Sequence, residues 1–223
     1  MKLPGTDSGL FLYRIHPLLA RMPGYAAMLL RRKSPLREWG WFRSFRTGRS
    51  IDGEGRPLPW MTYGAIRLLD ERLSGVKNLN VFEYGSGYGT LWWADRASRL
   101  QAVEHQQEWA EELHPKLRGS DAELKLRPRE QEYIGAVKES GLRYDVVVVD
   151  GLERVRCAEV AVECLSERGV LIWDDSEREK YQKGIVALQA KGFRRLSFYG
   201  FSPVEFMACE TSIFYRDGNV LGV

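Results

Sequence analysis

The stretch NVFEYGSGYGTLWWADRASRLQAVEH, residues 80–105, decides the fold. Asn80–Glu83 reads as a short apolar strand, and Gly85, Gly87 and Gly89 follow at alternate positions. Thr90–Arg99 reads as a helix, and Leu100–Glu104 as a second strand that ends on an acid. Without a Cβ, the glycines let the chain turn tightly and let a ligand lie against the backbone. The following helix points its first N–H groups at that ligand. A carboxylate at Glu104 can accept both hydroxyls of a ribose, so the unit predicts a site for a nucleoside-bearing cofactor.

The same alternation continues downstream. Glu123–Leu126 is a weak third strand, and Gln107–Lys116 before it is helical. Tyr144–Asp150, YDVVVVD, has the unbroken β-branched run of a parallel strand buried on both faces. Arg156–Ser166 predicts a helix, Gly169–Asp174 a strand and Glu177–Ala190 a helix. Phe193–Tyr199 and Thr211–Tyr215 have no crossover helix between them and are expected to pair antiparallel. Upstream, Tyr63, Ile66, Leu69 and Leu73 recur at helical spacing over residues 61–74. Strands alternating with helices predict an α/β fold: a doubly wound, mostly parallel seven-stranded sheet with the last strand antiparallel.

Residues 1–60 precede that pattern as an N-terminal extension, and residues 61–223 form the cofactor-binding domain. The extension carries 11 Lys and Arg against 4 Asp and Glu, the rest 22 against 26. The domain is therefore mildly acidic, which argues against a nucleic-acid groove across it. Residues 34–60 are dense in aromatics, arginine and glycine and read as irregular. Leu10–Leu30 is apolar but interrupted by Arg14, His16, Pro17, Arg21 and Pro23, so it does not read as a membrane span. Cys157, Cys164 and Cys209 fit neither a disulfide framework nor a zinc site. The first two are expected two turns apart on one helix. Reduced thiols suit a cytoplasmic protein. Nothing in the sequence speaks to oligomeric state.

The cofactor follows from detail. The dinucleotide pattern G-x-G-x-x-G needs a glycine at position 90, where this chain has Thr90. Glu83 sits two residues before the first glycine, where it would repel a pyrophosphate and suit an ammonium group. The segment resembles the class I S-adenosylmethionine (SAM)-dependent methyltransferases, whose first motif is E/D-x-G-x-G-x-G with an acid ending the second strand. The resemblance extends from about Trp60 to the C-terminus. It implies a methyltransferase fold and SAM as cofactor. It places Glu83 at the methionine end and Glu104 on the ribose, with Gly85, Ser86, Gly87 and Gly89 as the loop. His105 either borders the adenine or points into the helix layer. Tyr88 is placed to cover the methionine part, Trp92 and Trp93 to pack on the sheet, and Gln131–Tyr133 near the adenine.

Acids end four strands: Glu83, Glu104, Asp150 and Asp174, with Asp175 adjacent. Ligands of such sheets bind beyond the carboxyl ends of the strands. Asp150 is therefore expected in the cofactor site as well as beside Asp174 as a candidate general base. In metal-dependent members of the family, acids at these places bind a divalent cation such as magnesium. This chain lacks the further acid expected after the fourth strand and has Leu152-Glu153-Arg154 there, so no metal ligand is assigned and magnesium stays an open alternative beside SAM. Arg154 and Arg156 are expected to pair internally with Asp174 or Asp175. The resulting expectation is methyl transfer to O or N of a small-molecule acceptor, with the extension as a substrate lid rather than a membrane-surface anchor. Two rivals stay open: an aminopropyltransferase of the spermidine-synthase type and a non-catalytic module on the same fold.

Overall fold

The computed structural model describes Gly24, Ala27 and residues 31–223. The expectations for residues 1–23 and for most of 25–30 lie outside the described residues.

Seven strands form one sheet: β1 (Asn80–Tyr84), β2 (Arg99–Glu104), β3 (Ala122–Leu126), β4 (Tyr144–Val149), β5 (Leu165–Trp173), β6 (Arg194–Gly200) and β7 (Cys209–Tyr215). Their order is β3-β2-β1-β4-β5-β7-β6. The strands β1 to β5 pair parallel, and β7 runs antiparallel to both neighbours. The doubly wound, seven-stranded fold expected from the sequence is present.

β4 shows why the sheet is the core. All six of its residues are buried. With side chains alternating at period 2, Val147 and Val149 join one apolar cluster, and Val146 and Val148 join another. Each buried valine contributes about 1.5–3 kcal/mol relative to exposure. The first face is covered by α6 (Glu130–Gly135), α7 (Arg154–Ala161) and α8 (Gln182–Ala190), through Tyr133, Ile134, Cys157, Ala158, Ile185 and Leu188. The opposite face is covered by α3 (Tyr63–Leu73) and α4 (Tyr88–Ala94), through Tyr63, Ile66, Leu69, Leu73, Trp92 and Trp93. The two tryptophans are packing residues, as expected. α5 (Gln107–Leu113) covers β2 and β3 with Ala110 and Leu113.

Several boundaries differ from expectation. α4 starts within the glycine loop, at Tyr88, and ends at Ala94, well before Arg99. α7 stops at Ala161, and β5 begins as early as Leu165, so Cys164 lies beyond the helix. A register shift against Tyr144 and Val146 lets β5 continue through Gly169, where a Cβ would sit 2.7 Å from the carbonyl oxygen of Tyr144. All three cysteines are free.

Residues 34–60 are not wholly irregular. They contain α1 (Pro35–Glu38) and α2 (Trp41–Thr47). Pro35 at the first helical position and left-handed glycines at Gly40 and Gly48 set these bounds, signals that the aromatic and arginine content obscures. Ser44 Oγ donates to the carbonyl of Ile51 at 2.6 Å and accepts its N–H at 3.0 Å, which folds the following loop back onto α2. That loop then joins the sheet: the Thr62 N–H donates to Thr211 Oγ1 at 2.9 Å, and the Tyr63 N–H to the carbonyl of Phe201 at 3.0 Å.

Gly184 on α8 permits close helix–sheet packing. A Cβ there would lie 2.7 Å from the ring of Trp173, which is fully buried and has no room to retreat. Gly184→Ala is therefore expected to destabilise the protein by about 1–3 kcal/mol. Thermal denaturation checks this, and an unchanged midpoint would show that the ring can move.

Candidate active site

The glycine loop crosses the carboxyl ends of β1, β2 and β4. The Gly85 N–H donates to the carbonyl of Val103 at 2.9 Å, and the Asp150 N–H to that of Tyr84 at 3.0 Å. Gly85 has a positive φ of 91°, and a Cβ there would meet the Asp150 carbonyl oxygen at 2.9 Å. Glycine is thus required by conformation and by the approach of β4. Gly87 differs: a Cβ there would have no neighbour within 4 Å, because the loop faces an open chamber.

Glu104 holds the loop in place. Its Oε2 accepts the Ser86 N–H and hydroxyl, both at 2.9 Å, and its Oε1 accepts the N–H groups of His105 and Gln106 at 2.8 and 2.9 Å. His105 Nδ1 lies 2.9 Å from the same Oε1, and its ring lines the cleft rather than the helix layer. Glu83 is buried between β1 and α4. Its Oε2 accepts the Thr90 hydroxyl at 2.6 Å, and Thr90 Oγ1 in turn accepts the Gly87 N–H at 2.9 Å. Burial pushes the Glu83 carboxyl up to about 8, against the Thr90 hydrogen bond. Thr90, which breaks the dinucleotide pattern, is here the link between acid and loop.

Two connected spaces open beyond the loop. The inner chamber, of about 110 Å³, is lined by Glu83, Gly85, Ser86, Gly87, Tyr88, Gly89, Asp150 and Trp109, and by Gly48, Ser50, Pro59, Trp60 and Met61 from the segment before β1. The outer cleft, of about 560 Å³, shares Trp60, Gly85, Ser86, Trp109 and Asp150 with it and adds Glu104, His105, Asp174, Asp175, Arg178, Ser202, Glu205, Met207 and Cys209. Glu83, the loop residues, Glu104, His105, Asp150 and Asp174 each line one or both spaces, whereas Gln131–Tyr133, expected near the adenine, line neither. Tyr133 is buried under the loop, packed against Tyr84 with ring centroids 5.5 Å apart.

At the outer end, Asp150, Asp174 and Asp175 bring carboxylate oxygens within 4.8 Å of one another. The cation among them is Arg154. Its guanidinium is 2.9 Å from Asp150 and 3.1 Å from Asp175, and it also donates to the Asp174 carbonyl. Arg178 adds a 2.7 Å pair with Asp175, and Thr211 donates to Asp174 Oδ1 at 2.7 Å. Arg154 pairs internally as expected, whereas Arg156 pairs with Glu130 rather than with the aspartates. Burial raises the Asp150 carboxyl to about 6 even with Arg154 beside it, and burial with two neighbouring acids raises Asp174 well above the carboxylate range. A divalent cation at these acids would have to displace a guanidinium that is already seated, so the trio does not fit a metal as it stands.

The sequence matches no protein-family model and no curated protein. Solved structures do match. The chain is similar to an O-methyltransferase from Bacillus cereus in complex with SAH, with a TM-score of 0.55 and 16% identity over 96% of this chain and 93% of that one. It is also similar to a precorrin-6y C5,15-methyltransferase from Geobacter metallireducens, with a TM-score of 0.54 and 13% identity over 71% and 92%. An rRNA methylase from Streptococcus thermophilus aligns with a TM-score of 0.50 and 13% identity over 70% and 97%. With the strand order above, these likenesses show the class I methyltransferase fold.

Glu83 gives a pH-dependent signature. Its carboxyl ordinarily loses its proton near 4.5, and in the folded protein near 8. Between those values the native state holds a proton that the unfolded chain has released, so stability falls as pH rises through that window. Glutamine has no proton to lose. Glu83→Gln is expected to match the wild-type melting temperature near pH 5 and to exceed it by roughly 3 °C or more above pH 8. A difference that stays constant with pH would refute the buried, proton-retaining carboxyl.

Proposed function

We propose that this chain is a SAM-dependent methyltransferase that transfers a methyl group to O or N of a small-molecule acceptor. The observation that carries this is the lining of the inner chamber: two acids, Glu83 and Asp150, and no lysine or arginine. Asp150 is ionised at neutral pH, and Glu83 holds its proton until a cation approaches. A wall with no cation of its own disfavours a pyrophosphate and suits a ligand end that bears an ammonium. The chamber leads into a cleft where Glu104 waits at the end of β2, placed for a ribose. When bound, SAM supplies an activated methyl on a sulfonium.

This chain's residues then do three things. The loop Glu83–Gly89 orients the ligand; the Glu104 clasp keeps Ser86 in position, and Thr90, held by Glu83, keeps Gly87. Trp60 and Trp109 wall both spaces and restrict water. Asp150 is the better candidate base, because at about 6 it is ionised at neutral pH and can take a proton from an acceptor hydroxyl or amine. Asp174, pushed well above the carboxylate range, suits a hydrogen-bonding role beside it. Most of the rate gain comes from holding donor and acceptor in line, which contributes about 7–11 kcal/mol in well-oriented pairs. Residues 48–61 supply the roof of the inner chamber, so their role as a lid includes the cofactor's end and not the acceptor alone.

Calorimetry is expected to show binding of SAM and S-adenosylhomocysteine. Gly87→Val fills the open chamber, and Glu104→Ala removes the clasp together with the ribose partner; each is expected to weaken binding by about 10-fold or more. Tight NAD binding without SAM binding would overturn the assignment. With labelled SAM and a metabolite extract, transfer is expected to persist in EDTA, since Arg154 already serves as the cation of the aspartate trio. Loss in EDTA with recovery on adding magnesium would instead make that trio a metal site.

A further inference from the structure

The described part of the extension presents a face that the cleft does not use. Arg31, Arg37, Arg43 and Arg46 line a broad groove together with Phe42 and Phe45. Arg43 and Arg37 donate to backbone carbonyls of Gly53 and Arg32. Among the described residues, no carboxylate lies within ion-pair distance of these four arginines, whereas Arg56, just beyond, pairs with Asp52 and Glu54. The sequence continues the bias upstream: no acid occurs between Asp7 and Glu38, and six Lys or Arg do.

Exposed apolar side chains run from this groove to the neighbouring β6–β7 loop by way of Trp41. Phe45 is 50% exposed and stacks on Trp41 at 5.1 Å, and Trp41 meets Phe201 edge-on at 6.0 Å. Phe206 and Met207 follow in the β6–β7 loop, each 66% exposed. Trp41 fixes that loop to the extension, its indole N–H donating to the Glu205 carbonyl at 2.7 Å. Cations alone would serve any polyanion. Cations beside exposed phenylalanine and methionine on a tethered loop suit a surface whose phosphates overlie an apolar layer.

We infer that this face docks on an anionic membrane surface, with the arginines at headgroup phosphates and Phe45, Phe206 and Met207 entering the acyl boundary. Met207 and Glu205 also line the outer cleft, so docking brings the mouth of the cleft to the bilayer. The inference stands apart from the proposed reaction, because it needs neither SAM nor transfer.

The test is co-sedimentation of the full chain with phosphatidylcholine vesicles, with and without added phosphatidylglycerol, at low and high salt. Binding is expected only with phosphatidylglycerol and is expected to weaken with salt. The double variants Arg43→Glu with Arg46→Glu, and Phe45→Ser with Phe206→Ser, are each expected to bind about 10-fold or more weakly. Circular dichroism confirms that they fold. Four results would overturn the inference. The first is no binding to anionic vesicles, and the second is equal binding to neutral ones. The third is full binding by both double variants, which would place the contact elsewhere in the chain. The fourth is preferential binding of an RNA oligonucleotide, or a dimer in light scattering that the arginine variant dissociates.

Discussion

The carboxylate of Glu104 ties Ser86, at the centre of the glycine loop, to the end of β2. Its two oxygens accept three backbone N–H groups and one hydroxyl, from Ser86 on one side and from His105 and Gln106 on the other. The glycines lack side chains with which to pack, so the loop is held by hydrogen bonds: these four, the Gly85 N–H to the Val103 carbonyl, and the Gly87 N–H to Thr90. Hydrogen bonds to a charged acceptor each contribute about 1.5–3 kcal/mol. Released from the clasp, the loop would gain backbone freedom that a ligand would then have to remove. The same carboxylate is therefore a structural anchor, and the proposed ribose contact would have to share lone pairs that already accept protein donors.

The remaining acids are arranged on the opposite principle. Glu83 and Asp174 are buried with raised pKa values, and burial raises Asp150 to about 6 against the opposing charges of Arg154 and Arg178. Burying carboxyls this way costs stability, which is characteristic of a site kept for chemistry rather than for packing. Arg154 limits that cost. It is nearly buried, spans two of the three aspartates and donates to the backbone of the third. One guanidinium thus offsets charge that a divalent cation offsets in other proteins with acids at these strand ends. The difference follows from where the helix after β4 begins: Arg154 is its first residue, four positions after Asp150.

Much of this was legible in the sequence, for a physical reason. Strands buried on both faces must be continuously apolar, so YDVVVVD and its counterparts declare themselves. A glycine turn between strand and helix leaves a spacing that little else produces. The acids at the strand ends were visible too, because topology fixes where a strand end lies. What escaped was set by contacts remote in sequence. Arg178, Ser202 and Trp109 reach the cleft, and Thr211 reaches Asp174 beneath it, from segments with no motif of their own. The early end of α7 and the register shift in β5 depend on pairing with Tyr144, which no local pattern carries. The helices at Pro35–Glu38 and Trp41–Thr47 were hidden by composition. Gly40 and Gly48 read as loop residues, although they serve as left-handed ends of short helices.

The segment before β1 shows how one stretch of chain serves two surfaces. Its inner side, at Ser50, Pro59 and Trp60, closes the chamber over the glycine loop. Its outer side bears Phe45 and the arginines. Between them Ser44 and Ile51 exchange two hydrogen bonds, so the two sides are rigidly coupled rather than joined by a free linker. The β6–β7 loop is held by the same segment, through Trp41 and Tyr63, and contributes Ser202 and Met207 to the cleft. That loop is longer than a hairpin needs, and the reason lies in these contacts. It must reach from the sheet edge to the extension before returning as β7. One segment thus holds both the cleft mouth, through Glu205, and the roof of the inner chamber, while the glycine loop beneath is fixed to the sheet by Glu104 and the Val103 carbonyl.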